Sequence, residues 1–294
     1  MRVGIYSRRV KSGDEVFISG IIHYLQQHGV SLACYHPVWE YLQPWLHEPE
    51  NIACYQDAAS FKALQLNYLI SFGGDGTFLD TLRFVQHDCV PVMGINTGTL
   101  GFISSIPRKQ AYQAMEALLQ EELILDARSL LQLRSNKPIF DDVVLALNDF
   151  TIQKRDTGSM IAIKTYLNGE LLTTYRADGL VISTPTGSTA YSLSCGGPII
   201  FPDSETLSIT PVSPHNLSVR PVVVSDQSVL SFEVRGRGSN FLVSLDSKYA
   251  VIDYSYQLAV CRSEVLLKTV RLKNQDFVST LHEKLMWGLD NRNP

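Results

Sequence analysis

Asn67-Tyr-Leu-Ile-Ser-Phe-Gly-Gly-Asp-Gly-Thr-Phe-Leu79 is a short apolar run that ends abruptly in Gly73-Gly74-Asp75-Gly76-Thr77. It reads as a strand, a glycine turn that holds an acid, and the start of a helix. Glycines at a strand end let the backbone bend and approach a ligand closely, and the N–H groups that open the next helix favour phosphate oxygens. A carboxylate among them would repel phosphate unless it carries magnesium or takes a proton from an attacking hydroxyl. The combination therefore points to phosphoryl transfer. Five residues alone also fit an ordinary tight turn, so the flanking sequence has to decide.

Outward from this turn, strands alternate with amphipathic stretches, as in a parallel sheet with helices on its faces. Val3 to Tyr6 is the first expected strand. Ile18, Ile21, Ile22 and Leu25 then fall at helical spacing, with His28-Gly29 as a stop, and Ser31 to Tyr35 returns as a strand. His36 to Pro49 holds two tryptophans and three prolines and is expected to be a loop or flap without regular structure. Tyr68 to Phe72, Thr77 to Gln86 and Val90 to Ile95 follow as strand, helix and strand, so Asp75 sits at a strand's carboxyl end, where open α/β sheets place their ligands. From Ile124 the pattern becomes short runs rich in Val, Ile, Thr and Tyr, an all-β signature. Asn168-Gly169 between apolar flanks is a strong hairpin signal. Phe277, Leu281, Leu285 and Leu289 recur every four residues, as on a closing helix. The expected organisation is an N-terminal doubly wound α/β domain, 1–123, joined by the C-terminal helix, 275–294, and a β-sandwich-type domain, 124–274.

The chain of 294 residues exceeds one ordinary core, which supports two domains. Hydrophobic residues make up 45% and no apolar run is long enough to span a bilayer, so no membrane partner is expected. The opening Met-Arg-Val-Gly-Ile-Tyr reads as a strand instead of a signal peptide, and the expected location is the cytoplasm. Five scattered cysteines show no paired spacing for zinc or redox exchange. A formal charge of −4 gives no reason to expect a nucleic-acid partner. No Gly-x-x-x-x-Gly-Lys-Ser/Thr sequence occurs, which excludes a P-loop kinase.

Three further segments carry polar residues where chemistry needs them. Asn96-Thr-Gly-Thr-Leu-Gly-Phe102 is a second glycine-bearing loop after a strand. Asn148-Asp149 stands in apolar surroundings and needs partners. Arg176-Ala-Asp-Gly-Leu180 feeds the hydroxyl-rich Thr184-Pro-Thr-Gly-Ser-Thr-Ala-Tyr191, suited to sugar and phosphate. In this order, with Gly196-Gly-Pro198 and Pro214-His-Asn-Leu-Ser218, these motifs closely resemble the NAD kinase family of bacterial type across roughly residues 70 to 250.

The resemblance implies transfer of the ATP γ-phosphate to the 2′-hydroxyl of the adenosine ribose of NAD, with magnesium, by a homotetramer or homodimer. It makes Asp75 the catalytic base and assigns ATP phosphates to Gly73, Gly74, Gly76 and Thr77. A carboxylate is too weak a base to strip a sugar hydroxyl in advance, so Asp75 is expected to orient the oxygen and accept its proton late. By resemblance Asp75, Gly76, Asn148 and Asp149 contact NAD, and many members carry Glu at the place of Asp149. Asp178 is assigned to the nicotinamide side, and Thr186, Thr189, Ala190, Tyr191 and Ser194 to the dinucleotide groove. Arg176 is assigned near the nicotinamide ribose or a neighbouring subunit, although a structural ion pair fits it equally. Phe102 is placed on the adenine side, with a core aromatic as the bland reading. The magnesium, or another divalent metal, is expected to ride on nucleotide phosphates without a dedicated protein cage. A lipid or sphingoid-base kinase sharing Gly-Gly-Asp-Gly-Thr, and a catalytically silent NAD(P)-binding sensor, stay open as alternatives.

Overall fold

The computed structural model describes residues 1–86, 89–98, 101–140, 144–155, 160–216 and 218–286. Thr99 and Leu100 of the second glycine segment, Leu217, and Leu289 of the closing stripe lie outside the described residues. The chain divides into two compact units, Met1–Ala127 with Leu267–Pro294, and Arg128–Leu266.

The first unit is α/β. Its elements are β1 (Arg2–Tyr6), α1 (Glu15–Gln27), β2 (Ser31–Tyr35), α2 (His36–Leu42), β3 (Ala53–Tyr55), α3 (Ala58–Ala63), β4 (Tyr68–Phe72), α4 (Asp75–Asp80), α5 (Leu82–Val85), β5 (Val92–Asn96), β6 (Ile106–Pro107) and α6 (Ala111–Leu119). The strand order is β3-β2-β1-β4-β5, with every pair parallel. The winding direction reverses between β1 and β4, as in doubly wound sheets, and their carboxyl ends flank that switch point. Helix α1 turns Ile18, Ile21, Ile22 and Leu25 into the core beside Val3, Ile5 and Ile70. Each such burial contributes about 1.5–3 kcal/mol.

Two expectations for this unit are corrected. The His36–Pro49 stretch is not an irregular flap but begins with α2 and continues in two short 3-10 turns, Gln43–Trp45 and Pro49–Asn51. Pro37 lies in the first turn of α2, where a missing N–H costs nothing. Val38 and Leu42, four residues apart, give the helix a buried stripe, and Trp39 Nε1 donates to the Pro49 carbonyl at 3.2 Å. The helix expected over Thr77–Gln86 starts earlier, at Asp75, and breaks at Thr81 into α4 and α5. The buried Thr81 hydroxyl bonds back to the Phe78 carbonyl at 2.6 Å, a contact that bends helices.

The second unit is built from strands. The chain enters it along β7 (Ile124–Ser135) and continues through β8 (Leu145–Ala146), β9 (Asp149–Lys154), β10 (Ile161–Leu167), β11 (Glu170–Ala177), β12 (Gly179–Ser183), the single turn α7 (Tyr191–Ser194), β13 (Thr206–Val212), β14 (Val222–Ser225), β15 (Leu230–Arg235), β16 (Asn240–Leu245) and β17 (Lys248–Asp253). It leaves along β18 (Leu258–Arg271). One sheet runs β14-β13-β12-β9-β16-β17; the other places β11, β10, β15 and β18 side by side. Their inner faces share one core that includes Leu131, Phe150, Ile163, Ile182, Phe232 and Phe241, the layering of a β-sandwich. Asn168 and Gly169, both at positive φ, form the two-residue turn between β10 and β11.

After β18 the closing helix α8 (Phe277–Leu285) buries Leu281 and begins with a capping box between Asp276 and Ser279. Gln275, just before it, donates to the Ser105 carbonyl and to Gln110 of the same unit. Among the described residues no helix is long and apolar enough to cross a membrane.

Candidate active site

In the first unit the two glycine loops follow neighbouring strands. Strands β4 and β5 pair from Leu69↔Val92 to Phe72↔Ile95, and the Gly73 N–H bonds the Ile95 carbonyl at 3.0 Å. Asp75 then reaches into the second loop. Its Oδ2 accepts the Phe102 N–H at 2.9 Å, and its Oδ1 accepts those of Ile103 and Ser104 at 3.2 and 2.8 Å. Three donors fix the carboxylate and share its charge, as an anionic acceptor requires. Gly101 makes the approach possible: a Cβ there would lie 1.8 Å from Asp75 Oδ1. Ser104 Oγ closes the loop pair by donating to the Gly73 carbonyl. Gly74 and Gly76 are exposed, and Thr77 is half-buried. The half-buried Phe102 ring lies 5.9 Å from Lys284 Nζ.

Sequence reading passed over Arg8. This residue follows β1 and grips Asp80 through Nε and through Nη2, the latter at 2.6 Å from Oδ1. It also donates to the Gly76 carbonyl at 3.1 Å. The signal was present in Arg8-Arg9 and Lys11, a cationic loop directly after a strand.

In the second unit Asn148 and Asp149 are held by Asp246, to which sequence reading gave no role. The Asp246 carboxylate accepts the backbone N–H groups of Leu147, Asn148 and Asp149 at 2.8, 2.8 and 3.1 Å. Asp246 occupies the two-residue turn between β16 and β17 at φ +52°. Burial pushes the Asp149 carboxyl up to about 7, reinforced by the charge of Asp246. Burial raises Asp246 to about 6 against the pull of its three N–H donors. Asn148 Oδ1 is buried with no hydrogen-bond partner among the described residues.

The hydroxyl-rich segment packs onto the same backbone. Thr184 N–H bonds the Asn148 carbonyl, and Thr184 Oγ1 donates to the Leu147 carbonyl. Gly187 allows this: a Cβ there would meet the Asn148 carbonyl oxygen at 2.0 Å. Thr186 is buried, and its carbonyl takes the Thr189 hydroxyl at 3.1 Å. Ala190 is half-buried, while Tyr191 and Ser194 are exposed. The Tyr191 hydroxyl accepts from Gln153 Nε2 at 3.0 Å. Asp178 pairs with Lys154 at 2.7 Å, and the exposed Arg176 lends its carbonyl to the His215 N–H.

Comparison with known proteins decides the family. The profile of the ATP-NAD kinase N-terminal domain matches residues 36–123, and that of the ATP-NAD kinase C-terminal domain matches residues 147–272. An NAD kinase of Cytophaga hutchinsonii is 39% identical over 294 residues, all of both chains. The chain belongs to the ATP-NAD kinase family. An NAD kinase of Bacteroides fragilis is 38% identical over 292 residues, 99% of this chain and 100% of its own. Among solved structures, yeast NADH kinase complexed with NADH superposes with a TM-score of 0.87 at 24% identity, covering 98% of this chain and 88% of its own. An NAD kinase from Archaeoglobus fulgidus in complex with ATP gives 0.73 at 23%, covering 97% and 99%. Both share the ATP-NAD kinase fold. The two domain matches take in Asp75, Phe102, Asn148, Asp149 and Asp246, whereas Arg8 to Ser12 precede them.

Proposed function

We propose that the chain is an NAD kinase, an ATP:NAD 2′-phosphotransferase. It moves the γ-phosphoryl group of ATP to the 2′-hydroxyl of the adenosine ribose of NAD. The observation that carries the proposal is the Asp75 carboxylate, fixed at the carboxyl end of β4 by three backbone N–H groups. Asp75 orients the 2′-hydroxyl. As the bond from that oxygen to the γ-phosphorus forms, the bond to the β–γ bridging oxygen breaks, ADP leaves, and the hydroxyl proton passes to Asp75. Gly73, Gly74, Gly76 and Thr77 leave room for phosphate, and Arg8 holds this turn by its grip on the Gly76 carbonyl.

In the second unit, the unpaired Asn148 Oδ1 and the raised carboxyl of Asp149 suit ribose hydroxyls, and Thr186, Thr189, Ala190, Tyr191 and Ser194 line the dinucleotide. Asp178 and Arg176 serve the nicotinamide half, and Phe102 the adenine. Magnesium enters on the ATP phosphates. The reading extends to a cytoplasmic homodimer or homotetramer. The relatives are named NAD or NADH kinases, so the lipid-kinase and sensor alternatives draw no support from them.

The test is NADP formation by the wild type and by Asp75→Asn. The variant should lose about 10²–10⁴-fold in turnover, with the KM for NAD within several-fold. Unchanged turnover would remove Asp75 from the chemistry.

A further inference from the structure

The tripeptide Leu147-Asn148-Asp149 makes the step from β8 to β9, and two residues from elsewhere in the second unit take up its backbone. Asp246 receives all three N–H groups on its carboxylate and returns its own N–H to the Asp149 carbonyl at 3.0 Å. Thr184 takes the other two carbonyls, that of Leu147 through its hydroxyl and that of Asn148 through its N–H. Every backbone donor and acceptor of the tripeptide is thus accounted for within the fold. What it has left to offer a ligand are the Asn148 and Asp149 side chains.

Three successive N–H groups that converge on one point form a concavity suited to an anion, a backbone nest. Here the chain supplies the anion itself. Asp246 stands at the tip of the β16–β17 hairpin, next to Leu245, which lies opposite Lys248 across the turn and opposite Phe150 of β9. Its left-handed backbone, φ +52°, is a conformation that Gly, Asn and Asp adopt most readily. One register step further along, the Thr151 and Ser244 hydroxyls bond to each other and tie β9 to β16. Hydrogen bonds to an ionised acceptor are roughly twice as strong as neutral ones. The start of β9 is therefore placed by a charge 97 to 99 residues away in the chain.

We propose that Asp246 is a positioning residue for the dinucleotide acceptor: its carboxylate, seated in the nest of Leu147, Asn148 and Asp149 N–H groups, holds the Asn148 and Asp149 side chains where the ribose hydroxyls are received. The inference rests on the NAD kinase reading and adds to it a residue that acts through its neighbours. It carries a chemical consequence. A small free carboxylate that enters an emptied nest should do part of the work of Asp246.

The test uses the full-length wild type, Asp246→Gly and Asp246→Asn. Glycine suits φ +52° and leaves the nest empty, whereas asparagine suits the same turn, fills the nest and lacks the charge. In Asp246→Gly the calorimetric Kd and the KM for NAD should rise roughly 10- to 100-fold, while the KM for ATP and kcat at saturating NAD stay within about threefold. Sodium formate, set against sodium chloride at equal ionic strength, should recover most of the NAD affinity of the glycine variant and none of that of the asparagine variant. An unchanged Kd for NAD in both variants, a KM for ATP that rises as much as that for NAD, or formate that fails to restore the glycine variant would overturn the assignment. If circular dichroism shows the glycine variant unfolded, Asp246→Asn decides alone: a Kd for NAD raised about tenfold supports the assignment and an unchanged one overturns it. A wild type that binds NAD but makes no NADP would defeat the kinase reading alone, because NAD affinity still tests Asp246. A wild type that binds no NAD would defeat both.

Discussion

Replacing Asp149 by Asn should make the protein more stable, by an amount that grows with pH. In the unfolded chain this carboxyl ionises around its ordinary 3.8, whereas in the folded chain burial and Asp246 hold it protonated up to about 7. Between those values the folded state binds the extra proton. The stability it contributes is therefore complete below pH 3.8, is lost progressively as pH rises toward 7, and falls no further above that. The rise from 3.8 to about 7 corresponds to roughly 4 kcal/mol. Asn keeps the shape and never ionises, so the variant should exceed the wild type by about 2 kcal/mol at about pH 5 and about 4 kcal/mol at about pH 8. Urea unfolding of both proteins at the two pH values, followed by circular dichroism, measures the difference. Equal midpoints at the higher pH, or an advantage of the wild type that grows with pH, would show that Asp149 is ionised and well solvated in the fold.

Two glycines offer sharper perturbations. Gly101→Ala would drive a methyl group into Asp75 Oδ1, and the displaced carboxylate should cost roughly 100-fold in turnover; steady-state kinetics at saturating NAD reads this, and full activity would deny that the loop contact positions Asp75. Gly187→Ala meets backbone at the Asn148 carbonyl, so the second unit should lose roughly 1–3 kcal/mol. A melting temperature equal to that of the wild type would mean that the two segments are not in contact.

Much of the architecture was legible because it follows from local pattern. Val3, Ile5, Leu69 and Ile70 are completely buried strand residues, and parallel strands read as unbroken apolar runs. Asn168-Gly169 announced its turn because few other pairs tolerate two successive positive φ values. Helix α2 was obscured by Pro37, whose effect depends on whether it falls in the first turn or the interior, a distinction that composition does not carry. Asp246 was missed for a different reason. Its partners lie 97 to 99 residues away, and nothing local to Leu245-Asp246-Ser247-Lys248 names them. The usable signal was the spacing: two alternating strands separated by two residues put that acid on a hairpin tip at a strand end. Arg8 was likewise visible only as a charge after a strand until Asp80 and Gly76 came beside it.

The central claim is the transfer itself. ATP labelled on its γ-phosphate, incubated with NAD, magnesium and the purified chain, should place the label on the 2′-oxygen of NADP, with one ADP released per NADP formed. A folded wild type that binds NAD yet leaves all the label on ATP or in free phosphate would contradict it.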